Sequence, residues 1–171
     1  MNSLVDEEII QALYEASRAG VKIQLNVRGI CCLRPGVKGT SETIEVVSIV
    51  DRFLEHARIY YFRNGGDEEV YLASADWMAR NLDRRVELMF PVEAEAAKAK
   101  VLAALDALFQ DNVKGRRLSS DGSWKRRKPG RGDEPFRAQI ETHREIQRAL
   151  GRAKARLGVS LEPITAPQET P

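Results

Sequence analysis

Imidazole changes protonation near neutral pH, so the two histidines are weighed first. His143 lies among Glu141, Arg144 and Glu145 in a polar helical stretch and reads as a surface residue. His56 differs: it follows Glu55 at an expected helix-to-strand junction, and Arg58 stands two residues later. Side chains two apart on a strand share a face, which would place the imidazole beside the guanidinium. Such a pair suits a phosphoryl group, with Arg58 gripping oxygens that His56 attacks, orients or protonates. A single His-x-Arg is a short pattern, and a satisfied buried histidine is the plainer alternative.

A second cluster follows a strand exit. Ser74 and Asp76, then Asn81 and Arg84 with Arg80 and Arg85 nearby, offer donors and acceptors able to position an imidazole and a phosphoryl group. Salt bridges tying a sheet edge to a helix are the competing reading. Arg28 is the third candidate, at the end of an alternating strand and before Gly29, where it would project into the crevice at the C-terminal ends of the strands.

These residues need elements to carry them. Ser3 and Asp6 form a capping-box pattern ahead of a helix whose apolar positions Leu4, Ile9, Leu13 and Ala16 run to Gly20. Residues 21–27 alternate as a strand, residues 44–49 form a second, 50–55 a helical turn and 58–62 a third strand. Asn64-Gly65-Gly66 marks a hairpin leading to strands at 70–74 and 85–90. A long amphipathic helix fits 93–111, a second hairpin turns on Asp121-Gly122, and Pro135 opens a last helix with Ile146, Leu150, Ala153 and Leu157 on one face. The fold class read from this order is α/β, a mixed sheet flanked by helices.

Composition narrows the function classes. The chain has 171 residues, 43% hydrophobic and 30% charged, with no apolar run near the ~20 residues a membrane span needs and no leader-like start. A cytoplasmic location is therefore expected. Cys31 and Cys32 are adjacent and read as reduced, packed thiols, and no metal-ligand spacing accompanies them. The net charge of +2 is unevenly spread: residues 114–131 hold eight cations and Asp121 alone as anion. That stripe attracts polyanions, although with only Trp124 interleaved it lacks a base-stacking platform, and nucleic acid is not expected as a partner. Neither G-x-x-x-x-G-K-[ST] nor G-x-G-x-x-G occurs, so any phosphate would be held by side chains.

Four stretches resemble one family in order and register. They are Met1-Asn2-Ser3-Leu4-Val5-Asp6, Val27-Arg28-Gly29-Ile30-Cys31-Cys32-Leu33-Arg34-Pro35-Gly36-Val37, Arg52-Phe53-Leu54-Glu55-His56-Ala57-Arg58-Ile59-Tyr60-Tyr61-Phe62, and the run from Ser74-Ala75-Asp76-Trp77 to Asn81-Leu82-Asp83-Arg84-Arg85. All are similar to the C-terminal, phospholipase D-like domain of the long bacterial polyphosphate kinase, over roughly residues 1 to 127. His56-x-Arg58 with Ser74-x-Asp76 looks like a degenerate form of the phospholipase D signature. Met1 coincides with an internal Met of the longer family members.

The resemblance implies a phospholipase D-like domain at 1–118, a basic hairpin and helix at 119–158 and a disordered tail at 159–171. It implies reversible transfer of the terminal phosphate of ATP to polyphosphate. His56 would be the catalytic group, Arg28, His56 and Arg58 would bind nucleotide or phosphate, and Ser74, Asp76, Asn81 and Arg84 would support them. The family's phosphorylated histidine and its Mg2+ contacts lie in upstream domains, expected as partners in cis or in trans beside ATP/ADP, polyphosphate and a homo-oligomeric copy. A non-catalytic nucleotide- or polyphosphate-binding module and a dimeric phosphodiester hydrolase are the alternatives. Asp51 stands where the family has Gly, a carboxylate expected in the path of approaching phosphates.

Overall fold

The computed structural model describes residues 1–157. Helix α1 spans Glu7–Arg18, and its N-cap is Asp6, whose carboxylate accepts from the Ile9 amide at 3.0 Å. Glu7 and Glu8 lie at the positive end of the helix dipole and Arg18 at the negative end. Ser3 is not part of the cap. It is buried one residue before Leu4, in an extended segment ahead of the helix.

Strand β1 is Ile23–Asn26 and β2 is Ile44–Ile49, paired in parallel from Ile23 opposite Ile44 to Asn26 opposite Val47. The intervening loop is organised by the buried Ser41 hydroxyl, which accepts from the Val37 amide and donates to the Arg34 carbonyl. Strands β3 (Ile59–Phe62), β4 (Glu69–Ala73) and β5 (Met89–Pro91) form an antiparallel sheet. The Asn64–Gly66 turn joins the first two, with Gly65 and Gly66 at φ 67° and 115°, conformations glycine adopts without strain. Between β4 and β5 lies a short helix, α2 (Ala79–Leu82); after β5 comes α3 (Glu95–Gln110), its apolar side half-buried at helical spacing.

Strands β6 (Gly115–Leu118) and β7 (Trp124–Arg126) form the basic hairpin, and β6 pairs antiparallel with β2. Helix α4 spans Ala138–Leu157. The strands therefore divide into two sheets, a mixed one ordered β1-β2-β6-β7 and the antiparallel β3-β4-β5. The expected boundary at residue 118 coincides with the turn inside the hairpin, and Leu118 is packed in the main core with Leu4, Ile10, Leu25, Val27, Leu33, Ile44 and Val46. Each such side chain contributes about 1.5–3 kcal/mol by leaving water.

One extended segment joins the sheets. Leu4, fully buried, bridges Cys31 on one side and Trp77 on the other. Its amide donates to the Ile30 carbonyl at 2.9 Å and its carbonyl accepts from Cys32 at 2.9 Å, while Trp77 bonds Ser3 and Val5.

Four local expectations change. Residues 50–55 form no helical turn, because their main chain is engaged by the start of α4. Only the end of the 85–90 stretch pairs as a strand: beyond Ala73 the partner chain turns away toward Leu4, and Val86 is 99% exposed. The face of α4 that carries Ile146 and Leu150 is exposed rather than packed. Cys31 lies against the core, its thiol pushed up in pKa by burial, but Cys32 is exposed. The tail expected at 159–171 lies outside the described residues.

Candidate phosphate site at the seam of the two sheets

The seam carries the candidate residues. Arg28 leaves β1 and its Nη2 and Nε donate to the Asn2 side-chain oxygen at 2.6 and 3.2 Å. Its Nη1 is buried without a protein partner, and no carboxylate pairs with it among the described residues. Arg28 thus keeps an uncancelled positive charge and an unspent donor, the two properties that favour an anion.

Asn2 links Arg28 to the opposite side. Its amide donates at 2.8 Å to Asp76 Oδ1, and Asp76 is held bidentate by Arg58, Nε to Oδ1 at 3.1 Å and Nη2 to Oδ2 at 3.0 Å. Asp76 is 3% exposed. Burial drives its pKa upward, but the bonds from Arg58 and the amides of Asn2 and Ser3 outweigh that effect and hold the carboxyl below its ordinary value. Beneath it Tyr60 stacks on Trp77 with ring centroids 5.2 Å apart and donates to the Ala75 carbonyl. Burial pushes the Tyr60 hydroxyl up to about 12, so it remains a neutral donor.

His56 is exposed, and its imidazole makes no hydrogen bond among the described residues. It joins the network through its main chain, where the carbonyl accepts from Arg58 Nη1 at 3.1 Å. The alternate-residue geometry expected for His56 and Arg58 does not apply, since β3 begins only at Ile59. Arg58 turns back under the loop, and its guanidinium is committed to Asp76.

Ser74 and Asn81 converge on Glu87, a residue that no motif or period singled out. The Ser74 hydroxyl and the Asn81 amide, the latter at 2.5 Å, both donate to its carboxylate, and these two bonds hold it below the ordinary glutamate range. They tie the end of β4 to α2 and the approach to β5. Arg84 is exposed and forms no salt bridge among the described residues. Asp51 does not face open space: its side chain is 1% exposed, bidentate with Arg137 at 2.6 and 2.7 Å and 3.9 Å from Lys114. Asn2 and Arg137 were invisible to spacing because each acts across a long sequence separation, and Glu87 because it meets Ser74 and Asn81 from an irregular stretch where no period applies.

A sequence profile described as "Polyphosphate kinase C-terminal domain 2" matches residues 1–139. The chain belongs to the polyphosphate kinase family. It is 59% identical over 146 residues to a polyphosphate kinase of Rhodopirellula baltica, an alignment covering 85% of this chain and 17% of the relative. It is 54% identical over 139 residues to that of Pseudomonas aeruginosa, covering 81% and 20%. The crystal structure of polyphosphate kinase from Porphyromonas gingivalis superimposes with a TM-score of 0.85 at 41% identity, over 89% of this chain and 23% of that one. This likeness bears out the expected α/β fold. The chain spans about a fifth of the length of the curated relatives it matches. No described helix is long and apolar enough to cross a membrane.

Among the described residues no three His, Cys, Asp or Glu side chains are grouped to hold a metal ion. The carboxylates of Asp51 and Asp76 are already taken by arginines. The described residues do not form a Mg2+ site.

Proposed function

We propose that this chain supplies one side of the phosphoryl-transfer site of a polyphosphate kinase, in which the terminal phosphate of ATP passes reversibly to polyphosphate and ADP leaves. The observation that carries this reading is Arg28: a guanidinium oriented by Asn2, without a counter-charge, with a buried donor left unspent beside the seam. Such a group holds phosphate oxygens and stabilises charge as the phosphoryl group moves. His56, whose imidazole is unengaged, orients the reacting phosphate or carries a proton. Arg58 acts on phosphate through the loop it supports, Asp76 anchors Arg58, Ser74 and Asn81 brace the adjoining strand end through Glu87, and Arg84 extends the positive field. The upstream domains, in cis or in trans, supply the phosphorylated histidine.

The test mixes the chain with a polyphosphate kinase lacking the corresponding segment and follows label from ATP into polyphosphate. Polymer forms with the wild-type chain and is lost with His56→Ala or Arg28→Ala. Undiminished synthesis by both variants would overturn the reading.

A second reading rests on the hairpin. Arg116 stands opposite Arg126 and Arg117 opposite Lys125, like charges in direct cross-strand register, with Glu45 near Arg117 as the neighbouring anion. On this reading the chain is a polyphosphate-binding module without catalysis. Salt-sensitive polyphosphate binding that persists in His56→Ala, with no synthesis in any mixture, would favour it.

A further inference from the structure

The first turn of α4 grips the loop that carries His56, and the chemistry proposed above does not use it. Gln139, 8% exposed, meets the main chain of Phe53 in both directions. Its Oε1 accepts from the Phe53 N–H at 2.9 Å, and its Nε2 donates to the Phe53 carbonyl at 2.8 Å and to Glu55 Oε1 at 2.8 Å. Only this orientation of the amide satisfies all three bonds. The side chain stands in for a neighbouring strand, offering a donor and an acceptor to one residue's main chain.

The grip is anchored on both sides. Arg137, two residues earlier, closes on Asp51. Asp111, fully buried, accepts from the Ala138 amide at 2.8 Å with one oxygen and from the amides of Val113, Lys114 and Gly115 with the other. Asp51, Phe53 and Glu55 therefore hang from an immobilised helix start within the five residues before His56. Packing does not hold this loop, since Phe53 is 57% and Leu54 75% exposed.

We propose that Gln139, assisted by Arg137, is a positioning residue that fixes the loop over residues 51–56 and so presents the His56 imidazole in one place. The proposal rests on the reading of His56 given above. Gln139 touches no reacting atom, and its effect reaches the site only through the Phe53 main chain.

The experiment compares the full chain with Gln139→Ala and Gln139→Glu, the latter keeping the size of the side chain but setting a carboxylate against the Phe53 carbonyl and Glu55. Hydrogen exchange at the Phe53 amide and the imidazole resonances of His56 are followed by NMR. The Val46 and Val47 amides of β2 report on the fold, and exposed His143 is the internal reference. In Gln139→Ala Phe53 exchange accelerates by about tenfold or more, in both variants His56 resonances move toward those of His143, and β2 protection is kept. In the mixture with the remaining polyphosphate kinase domains, synthesis falls by about tenfold.

Unchanged Phe53 exchange and unmoved His56 resonances in the variant that keeps β2 protection would overturn the proposal. So would a released loop with undiminished synthesis. If the wild-type mixture makes no polymer, the functional reading fails by itself, and the Phe53 and His56 signals still decide whether Gln139 holds the loop.

Discussion

Asp76→Ala tests the seam most directly. The substitution leaves the Arg58 guanidinium, 10% exposed at its side chain, without the carboxylate that holds it twice, and frees the Asn2 amide. Deleting one partner of a buried ion pair costs about 3–5 kcal/mol, because the remaining charge stays desolvated. For a chain of this size each kcal/mol moves the midpoint by roughly 2–4 °C, so a fall in Tm of roughly 6–20 °C is expected. The double substitution Arg58→Met with Asp76→Leu removes both charges and should recover most of that loss. The pH dependence has a definite sign. The folded Asp76 pKa lies below the ordinary 3.8, so its stabilisation is complete above that value and is lost as pH falls through the folded pKa. The gap between wild type and Asp76→Ala therefore stays constant at neutral pH and closes only in acid below 3.8. Thermal unfolding from pH 7 downward measures it. A loss of less than about 2 °C at pH 7 would show that water screens this pair and would refute the argument from burial.

Other outcomes follow from the same structure. Gly115→Ala places a Cβ 2.5 Å from the Asp111 carbonyl oxygen, a main-chain atom that cannot swing aside, and should cost about 1–3 kcal/mol in urea unfolding. Asp111→Ala strips four main-chain donors of their acceptor and should cost at least about 3 kcal/mol, read by the same titration. Asp51→Asn weakens the bond to Arg137; the Asp51 pKa is held down by that arginine, so the wild-type advantage is present above 3.8 and disappears as pH falls through the folded value, checked by stability against pH. Arg28→Ala leaves Tm nearly unchanged but reduces synthesis in the complemented mixture by roughly 100-fold.

The elements were legible where a local pattern sufficed. The β-branched run at Ile44–Ile49, the Asn64-Gly65-Gly66 turn and the helical spacing of Leu102, Leu105 and Phe109 each carry their own signal. Arg28 and Asp76 were also legible, as polar residues at strand exits. The partners were not. Arg58 pairs with Asp76 at one end of the antiparallel β3–β4 pair, Asp51 meets Arg137 from another part of the chain, and Gln139 replaces a strand that residues 50–55 never acquire. Periodicity reports which face of an element is buried. It carries nothing about which carboxylate a buried guanidinium will find, and so it placed His56 and Arg58 side by side where the structure turns one beneath the other.

The splice made by Leu4 fixes a spacing. Sliding one sheet past the other would break its bonds to Ile30 and Cys32 or those linking Trp77 to Ser3 and Val5, and would pull a fully buried leucine from its packing. The relation between the Arg28 and Arg58 sides, spanned by Asn2, is thus set when the chain folds. On the function proposed above, a phosphate bound at Arg28 would meet partners already in place, and little of the binding free energy would go into arranging them.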